Sequence, residues 1–393
     1  MAASLPFDPA ELAVDPDIRR AESLPAWAFT DPAFARHEME AVFARTWQLV
    51  PERASSGDDP RRLADALSVR GARVPIEQNG RPLFLQRGWE DSELRLFPNT
   101  CTHAWHPLVA GPSRGNTIAC PQHGRKFDCR GRFVSQPGFA DAPDFPRECD
   151  HLHPFPVATW REFLFACLGS PAVGLDEALQ PLEETIAALP LDRARLRSSG
   201  REARELDGNW KQHAWNYMDR FHVSFIHRAP GGLADAIELG SYRTELHPWV
   251  ALQWAYARNP EHGFPSRALP ARFTDPERPE RRVFALWWFV FPNLTLNLYP
   301  WGLSVNVYQP LPESPAKTRF LWYHLVADEE LYRERDRIWM LDAVDREDVE
   351  ALSQVGRALR SGVAPRGRFA PLEETGPHWF HRLVSRLVLE PAP

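Results

Sequence analysis

The chain lacks any apolar run approaching the roughly 18 residues that a membrane-spanning helix needs, so no span is predicted. Its first twenty residues, MAASLPFDPAELAVDPDIRR, hold no basic start followed by an apolar stretch, so they do not read as a secretory signal. It also lacks an excess of charge of one sign. Lys and Arg number 46 against 52 Asp and Glu, a net charge of −6, which leaves no electrostatic footprint for nucleic acid. Cysteine is scarce and odd in number, at five. No internal repeat and no low-complexity tract occurs. What remains is an ordinary globular composition, 44% hydrophobic and 25% charged, over 393 residues, long enough for two domains or one large one with ample core. Proline (38 residues) and Trp (15 residues) are abundant, which implies many rigid loops and large aromatic cores.

Two of the cysteines stand in a patterned stretch. Cys101-Thr102-His103 is followed, after sixteen residues, by Cys120-Pro121-Gln122-His123, with Gly111, Gly115 and Gly124 keeping the loops compact. Each clip offers one thiolate and one imidazole. Zinc fingers usually pair Cys with Cys and then His with His. A mixed clip repeated twice is what a Rieske 2Fe–2S centre requires, in which one iron takes two thiolates and the other two imidazoles. A zinc site of unusual order, or four unconnected loop residues, are the alternatives. With Cys101 and Cys120 in a cluster, Cys129, Cys149 and Cys167 are left, expected as reduced thiols of a cytoplasmic protein.

In chain order, residues 1–30 read as a polar, proline-punctuated arm. Asp31-Pro32 then opens a helix, with Asp31 as N-cap and Phe34, Met39, Val42 and Phe43 as its apolar stripe. From Trp47 to about Phe165 short runs such as RPLFLQRG, TIACP and EFLFACLG are bounded by Gly, Pro, Asn and Asp, which predicts a small β-sandwich carrying the two clips. Residues 170–200 read as helical, a bridge between domains. The second half alternates helices with long strands. RVFALWWFVFPNLTLNLYPWGLSVNVYQPL predicts two or three strands joined at Pro292-Asn293 and Pro300-Trp301-Gly302, KTRFLWYHLVA a further antiparallel strand, and 328–360 a helix. GPHWFHRLVSRLVLEP predicts an amphipathic helix with Trp379, Leu383, Val384 and Leu387 on one side, packed on the core. Strands followed by long helices predict an α+β domain with a curved antiparallel sheet wrapping helices.

A second metal-ligating set is suggested by GNWKQHAWNYMDRFHVSFIH, residues 208–227, which reads as a helix carrying His222 and His227 with Asp219 one turn ahead. Five residues separate side chains by about 140° on an ideal helix, so His227 must reach back from a loosened end to share a metal. Alone, the pair also fits two surface or capping histidines. A cluster only carries electrons, however, and two histidines with one carboxylate and open positions form the usual non-haem Fe(II) site for O2 chemistry. The late stretch DAVDREDVEALSQVGRALRSG offers Asp342, Asp345, Glu347, Asp348 and Glu350 as the carboxylate, equally placed on these grounds alone.

The texts NTCTHAWHPLVAG…CPQHGRKFDCRGRF and NWKQHAWNYMDRFHVSFIH together resemble the α subunits of Rieske non-haem iron oxygenases. The resemblance runs from about residue 25 to 385. FARTWQLV resembles the entry to the Rieske domain of the same oxygenases, and NLYPWGLSVNVYQPL and RGRFAPLEETGPHWFHRLV resemble the branch of choline-monooxygenase-like proteins and aromatic ring-hydroxylating dioxygenase α subunits. It implies a β-sandwich Rieske domain over 46–166 and a helix-grip catalytic domain over 167–393, to which the arm and helix of 1–45 belong. It implies Cys101, His103, Cys120 and His123 as cluster ligands, and His222, His227 and Asp348 as ligands of a mononuclear Fe(II). Asn216 and Asp219 fall on the family's functional positions.

The implied activity is that of a terminal oxygenase. It uses O2, and electrons from NAD(P)H passed through a reductase or ferredoxin partner, to hydroxylate or N-dealkylate a small quaternary ammonium, N-methyl or aromatic compound. The implied assembly is a head-to-tail homotrimer in which Asp219 links His222 to His123 of a neighbouring copy. Trp215, Phe221 and Phe225, which flank the iron ligands in sequence, are expected to offer aromatic faces to a cationic substrate. Ala104-Trp105, Gln122, Arg125 and Trp215 depart from the family's usual residues; none is a ligand. The reading of another class is an iron–sulfur electron carrier or iron-binding protein with no oxygenase activity.

Overall fold

The computed structural model describes residues 7–50, 63–161, 163–187, 189, 197–265 and 268–390. By internal contacts the chain divides into two units, Trp47–Pro171 and a second formed by Met1–Thr46 with Ala172–Pro393.

The first unit is built from short antiparallel strands. Leu94–Pro98, Arg81–Arg87, Ala72–Gln78 and Ser113–Arg114 form one sheet in that order, and Gln48–Leu49, Phe163–Ala166 and Val157–Trp160 form a second. A third small sheet, Thr117–Ala119, Lys126–Asp128 and Phe133–Ser135, carries the second clip between its first two strands. Val74, Ile76, Leu83, Leu85 and Leu96 fill one core, and Phe84, Phe97, Ile118 and Phe127 fill another against Cys101 and Cys120. Alternation along these strands sends successive side chains to the two faces, which is why one short strand can serve both cores.

The second unit centres on a seven-stranded antiparallel sheet ordered Arg197–Asp207, Lys317–Val326, Gly302–Pro310, Leu294–Tyr299, Val283–Val290, Val250–Tyr256 and Arg243–Leu246. Four of these are the strands expected from the 282–327 stretch, and the sheet does not close. Helices Trp210–Met218, Leu341–Arg360 and Thr375–Leu389 belong to this unit. On the last, Leu383, Val384 and Leu387 are buried, and Trp379 packs against the same core as Trp210, Phe289 and Phe380. Asp31 caps the helix Pro32–Glu38 by accepting from the amides of Ala33 and Phe34, and the chain runs on into a π-turn, Met39–Phe43, that buries Met39, Val42 and Phe43.

Three elements differ from expectation. Among its described residues the 170–200 stretch is helical only over Leu175–Ile186, and a strand has begun by Arg197; positions 188 and 190–196 lie outside the described residues. The 328–360 helix is three pieces, Glu329–Arg333, Arg335–Ile338 and Leu341–Arg360, broken at Met340, whose φ is +52°. The 208–227 helix ends at Met218, because Asp219 takes an extended conformation (φ −85°, ψ 105°); a short turn, Val223–Ile226, follows. Among the described residues no helix is long and apolar enough to cross a membrane.

Candidate metal centres

The two Cys/His clips share one backbone design. The amide of Trp105 donates to Cys101 O (3.0 Å) and that of Gly124 to Cys120 O (3.0 Å). The amide of Cys101 donates to His106 O (2.9 Å) and that of Cys120 to Arg125 O (2.8 Å). Each turn needs one left-handed residue. In the second clip it is Gly124 (φ +73°), and in the first it is Trp105 (φ +60°), a position that costs a side chain roughly 1–2 kcal/mol. The Trp105 side chain is 80% exposed.

These turns bring the four side chains together. Cys101 and Cys120 are buried, and the rings of His103 and His123 stand 4.9 Å apart, centre to centre. Burial pushes the Cys101 thiol up, and the adjacent Cys120 adds to that shift. Burial, then the charges of His123 and Arg125, lower the pKa of His103, favouring the neutral imidazole a metal would need. Among the described residues all five cysteines are free, with Cys129 and Cys167 buried and Cys149 exposed.

The break at Asp219 answers the geometric problem of His222 and His227. The two residues no longer share one continuous helix, and their Nε2 atoms face each other at 3.2 Å. Asp348, on the long helix Leu341–Arg360, places Oδ1 3.2 Å from His227 Nε2 and 3.6 Å from His222 Nε2. These three ligand atoms lie within 4.8 Å of one another, and theirs is the one such group of three found among the described residues. Of the five acids offered by the late stretch, Asp348 is the one the fold brings to both histidines.

The opposite ring nitrogens face carboxylates. His227 Nδ1 is 2.7 Å from Glu347 Oε2, and His222 Nδ1 is 3.4 Å from Asp219 Oδ2. Glu347 sets the proton of His227 on Nδ1, and with the same tautomer at His222 both Nε2 lone pairs point at the carboxylate of Asp348. Asp348 Oδ1 is buried and finds no hydrogen-bond partner among the described residues. Three acceptors converging without a donor fit a cation. Burial disfavours charge on His227, but Asp348 and Glu347 outweigh it and hold the ring's pKa above the ordinary value.

The same residues line a cavity of about 230 Å³. Its floor is one face of the sheet, read at alternate positions: Asn297 and Tyr299 on one strand, Ser304, Asn306 and Tyr308 on the next, and Phe320, Trp322 and His324 on a third. Trp287, Tyr217 and Trp339 add further rings, and Asn216 and Asp219 also face the space. Burial lowers the pKa of His324 to about 4 and pushes Tyr299 up to about 12, so both are neutral near pH 7.

The expected aromatic contributors are corrected. Trp215, Phe221 and Phe225 are not among the lining residues. Trp215 turns toward Phe369 and His381 and donates to Glu374 Oε1 (3.3 Å), while Phe221 and Phe225 pair edge to face and are largely exposed. Proximity to the ligands in sequence was a poor guide; the period-two pattern of the later strands was the better signal. The sequence offers Glu347 only as a possible ligand, and no sequence signal marks it as the partner of His227.

Comparison with known proteins gives a family model described as the ring hydroxylating alpha subunit (catalytic domain) over residues 193–390, and one described as the Rieske [2Fe-2S] domain over 62–146. The chain is 26% identical to the carnitine monooxygenase oxygenase subunit of Acinetobacter baumannii, over 96% of this chain and 97% of that one. It is 27% identical to the chloroplastic choline monooxygenase of Arabidopsis thaliana, over 94% and 84%. Among solved structures it resembles the quaternary ammonium Rieske monooxygenase CntA (TM-score 0.71, 23% identity, 98% and 99% covered). It also resembles naphthalene 1,2-dioxygenase (TM-score 0.67, 19% identity, 95% and 94% covered).

Proposed function

We propose a substrate class for a chain that belongs to the ring-hydroxylating α-subunit family: small quaternary ammonium compounds bearing N-methyl groups. As a member of that family the chain is a Rieske non-haem iron oxygenase, the terminal component that uses O2 and reductase-supplied electrons. The observation that carries the substrate class is the cavity wall. Tyr217, Trp287, Tyr299, Trp322 and Trp339 turn aromatic rings into the space beside His222, His227 and Asp348. A quaternary cation has no proton to donate, and pairing it with one buried carboxylate carries a large desolvation cost. Ring faces hold it at lower cost. Relatives that act on carnitine and choline support the same class.

His222 Nε2, His227 Nε2 and an oxygen of Asp348 would hold the mononuclear Fe(II), and Cys101, His103, Cys120 and His123 the 2Fe–2S cluster. When bound, the cluster supplies single electrons and the Fe(II) offers open positions for O2. The chain's own residues do the rest. Glu347 accepts a hydrogen bond from Nδ1–H of His227 and fixes its tautomer, while Asp219, 3.4 Å from His222 Nδ1 and not hydrogen-bonded to it, places a carboxylate charge beside that ring. The aromatic wall sets a methyl group near the metal-facing end and keeps water out. Overall one oxygen atom would enter a C–H bond, and the other would leave as water with two electrons and one proton from NAD(P)H and a second proton from solvent. Loss of the hydroxylated carbon from nitrogen would complete an N-dealkylation.

The partners in this reading are an NAD(P)H-dependent reductase or ferredoxin, the small substrate and O2, in a cytoplasmic setting that suits five free cysteines. The proposed limits are 46–166 for the cluster domain and 1–45 with 167–393 for the iron domain. The assembly is a homotrimeric ring, one heterologous interface repeated until it closes, with Asp219 of one copy reaching His123 of the next. The exposure of His123 supports it. Asn216, beside the iron ligands on the cavity wall, is proposed to orient the reactants there.

A substrate panel with a surrogate reductase, following O2 uptake and product together, tests the reading. Carnitine, choline and related trimethylammonium compounds should couple uptake to product. Coupled uptake only with neutral aromatics such as naphthalene would overturn the substrate class.

A further inference from the structure

Arg125 occupies an unusual place. It follows His123 by two residues, and only 1% of it is exposed. Its Nη1 donates to Thr102 Oγ1 (2.8 Å) and to Asp150 Oδ1 (3.1 Å), and its Nε donates to Gln136 Oε1. Its guanidinium carbon lies 5.4–5.5 Å from the ring centres of Phe133, Phe139 and Phe145. Its backbone carbonyl accepts the amide of Cys120. Three of these contacts lead to the clips. Thr102 separates Cys101 from His103, Gln136 Nε2 stands 3.0 Å from His103 Nδ1, and the ring of Phe139 meets His103 edge to face at 5.3 Å.

Burying a guanidinium costs several kcal/mol unless its hydrogen bonds are met, and an apolar residue of similar volume would hold the loops as well. What a guanidinium adds is a charge that no accessible pH removes. Asp150 offsets part of it. That carboxylate is itself held in place, because its Oδ2 accepts the amide of Arg147 (2.8 Å), so the pair forms a fixed dipole with its positive end joined to the two clips. Reduction of a 2Fe–2S cluster adds one negative charge, and a fixed cation close by in a poorly screened interior favours the reduced form.

We propose that Arg125 sets the reduction potential of the cluster, holding it high through its charge, with Asp150 as the opposing counter-charge. This rests on the cluster reading above. That reading fails separately, if the unsubstituted chain binds no 2Fe–2S cluster.

The test is an anaerobic redox titration of the cluster-loaded protein, followed by visible absorption and EPR, on Arg125→Gln, Arg125→Lys and Asp150→Asn. At the wild-type midpoint, Arg125→Gln should lower the ratio of reduced to oxidised cluster at least tenfold, a fall of about 59 mV for one electron. Asp150→Asn should shift the ratio the other way, and Arg125→Lys should stay within about threefold of wild type. Equal ratios in all variants would overturn the proposal. So would Asp150→Asn shifting in the same direction as Arg125→Gln, or Arg125→Lys shifting as far as Arg125→Gln. If Arg125→Gln loses the cluster, the sign of the Asp150→Asn shift decides: upward supports the proposal, and any other result overturns it.

Discussion

His227 Nδ1 and Glu347 Oε2 stand 2.7 Å apart, one residue ahead of the carboxylate of Asp348 that meets the same imidazole from its other side. The two neighbouring acids thus hold opposite nitrogens of one ring. Removing the outer charge should leave the metal-facing atoms in place but weaken the ligand. Glu347→Gln is expected to lower affinity for Fe(II) by about 10–100-fold. Anaerobic metal titration of the protein stripped of mononuclear iron would measure this, with the cluster spectrum as an internal control. An unchanged dissociation constant would remove Glu347 from the account.

Asp219 faces His222 Nδ1 at 3.4 Å while its other oxygen accepts the amide of Phe221 (2.7 Å). If it also joins the cluster of a neighbouring copy, Asp219→Asn should keep both metals and the oligomer. Electron transfer from cluster to iron should still slow at least tenfold, ~1.4 kcal/mol in barrier. Rapid-mixing decay of the reduced cluster under O2 and substrate reads this step. Decay at the wild-type rate would defeat the proposed link.

Trp287 stacks on Tyr242 (5.6 Å, 13°) and donates from Nε1 to Tyr299 OH (3.3 Å), so its ring is fixed within the cavity wall. Trp287→Ala should weaken a trimethylammonium ligand more than its neutral tert-butyl isostere, by ~0.5–2 kcal/mol. Binding of both compounds, measured side by side, separates charge recognition from lost packing. Equal losses would point to a neutral substrate.

Lys211 and Glu38 form a fully buried pair at 2.8 Å, with side chains 0% and 2% exposed. Burial outweighs the partner for each, lowering the pKa of Lys211 and raising that of Glu38. Lys211→Met leaves Glu38 uncompensated and should destabilise the protein by ~3–5 kcal/mol, whereas the double change with Glu38→Leu should recover most of that. The sign with pH follows from the raised Glu38 pKa. In Lys211→Met the buried acid is tolerated where it is protonated, so the deficit should be small near its ordinary value of 4.5 and grow as pH rises through the raised one. Thermal melts across that range would show it; a constant deficit would contradict the assignment.

The sequence was most informative where chemistry needs residue types at short spacing. The clips at 101–103 and 120–123 and the histidines at 222 and 227 could be located before any fold, because ligand identity is local. The strands of 283–326 were legible for the same reason, through apolar runs ended by Pro292, Asn293 and Gly302. What was not legible depends on long-range placement. Asp348 could not be told from Asp342 or Asp345 by the residues alone, since all three lie on one helix and only the packing of that helix selects among them. The breaks at Asp219 and Met340 were hidden because neither is Gly or Pro; tertiary contacts override their helical neighbours. The buried role of Arg125 was equally hidden, since an Arg in a loop is ordinarily exposed.

The central claim is that one chain carries two iron centres of different kinds. Iron and acid-labile sulfide counted per chain, on protein reconstituted anaerobically, test it most directly. The account predicts about three irons and two sulfides, with about one iron lost and both sulfides kept in Asp348→Ala. Two irons and two sulfides in both proteins would make the chain an electron carrier, and zinc in place of iron would contradict the account altogether.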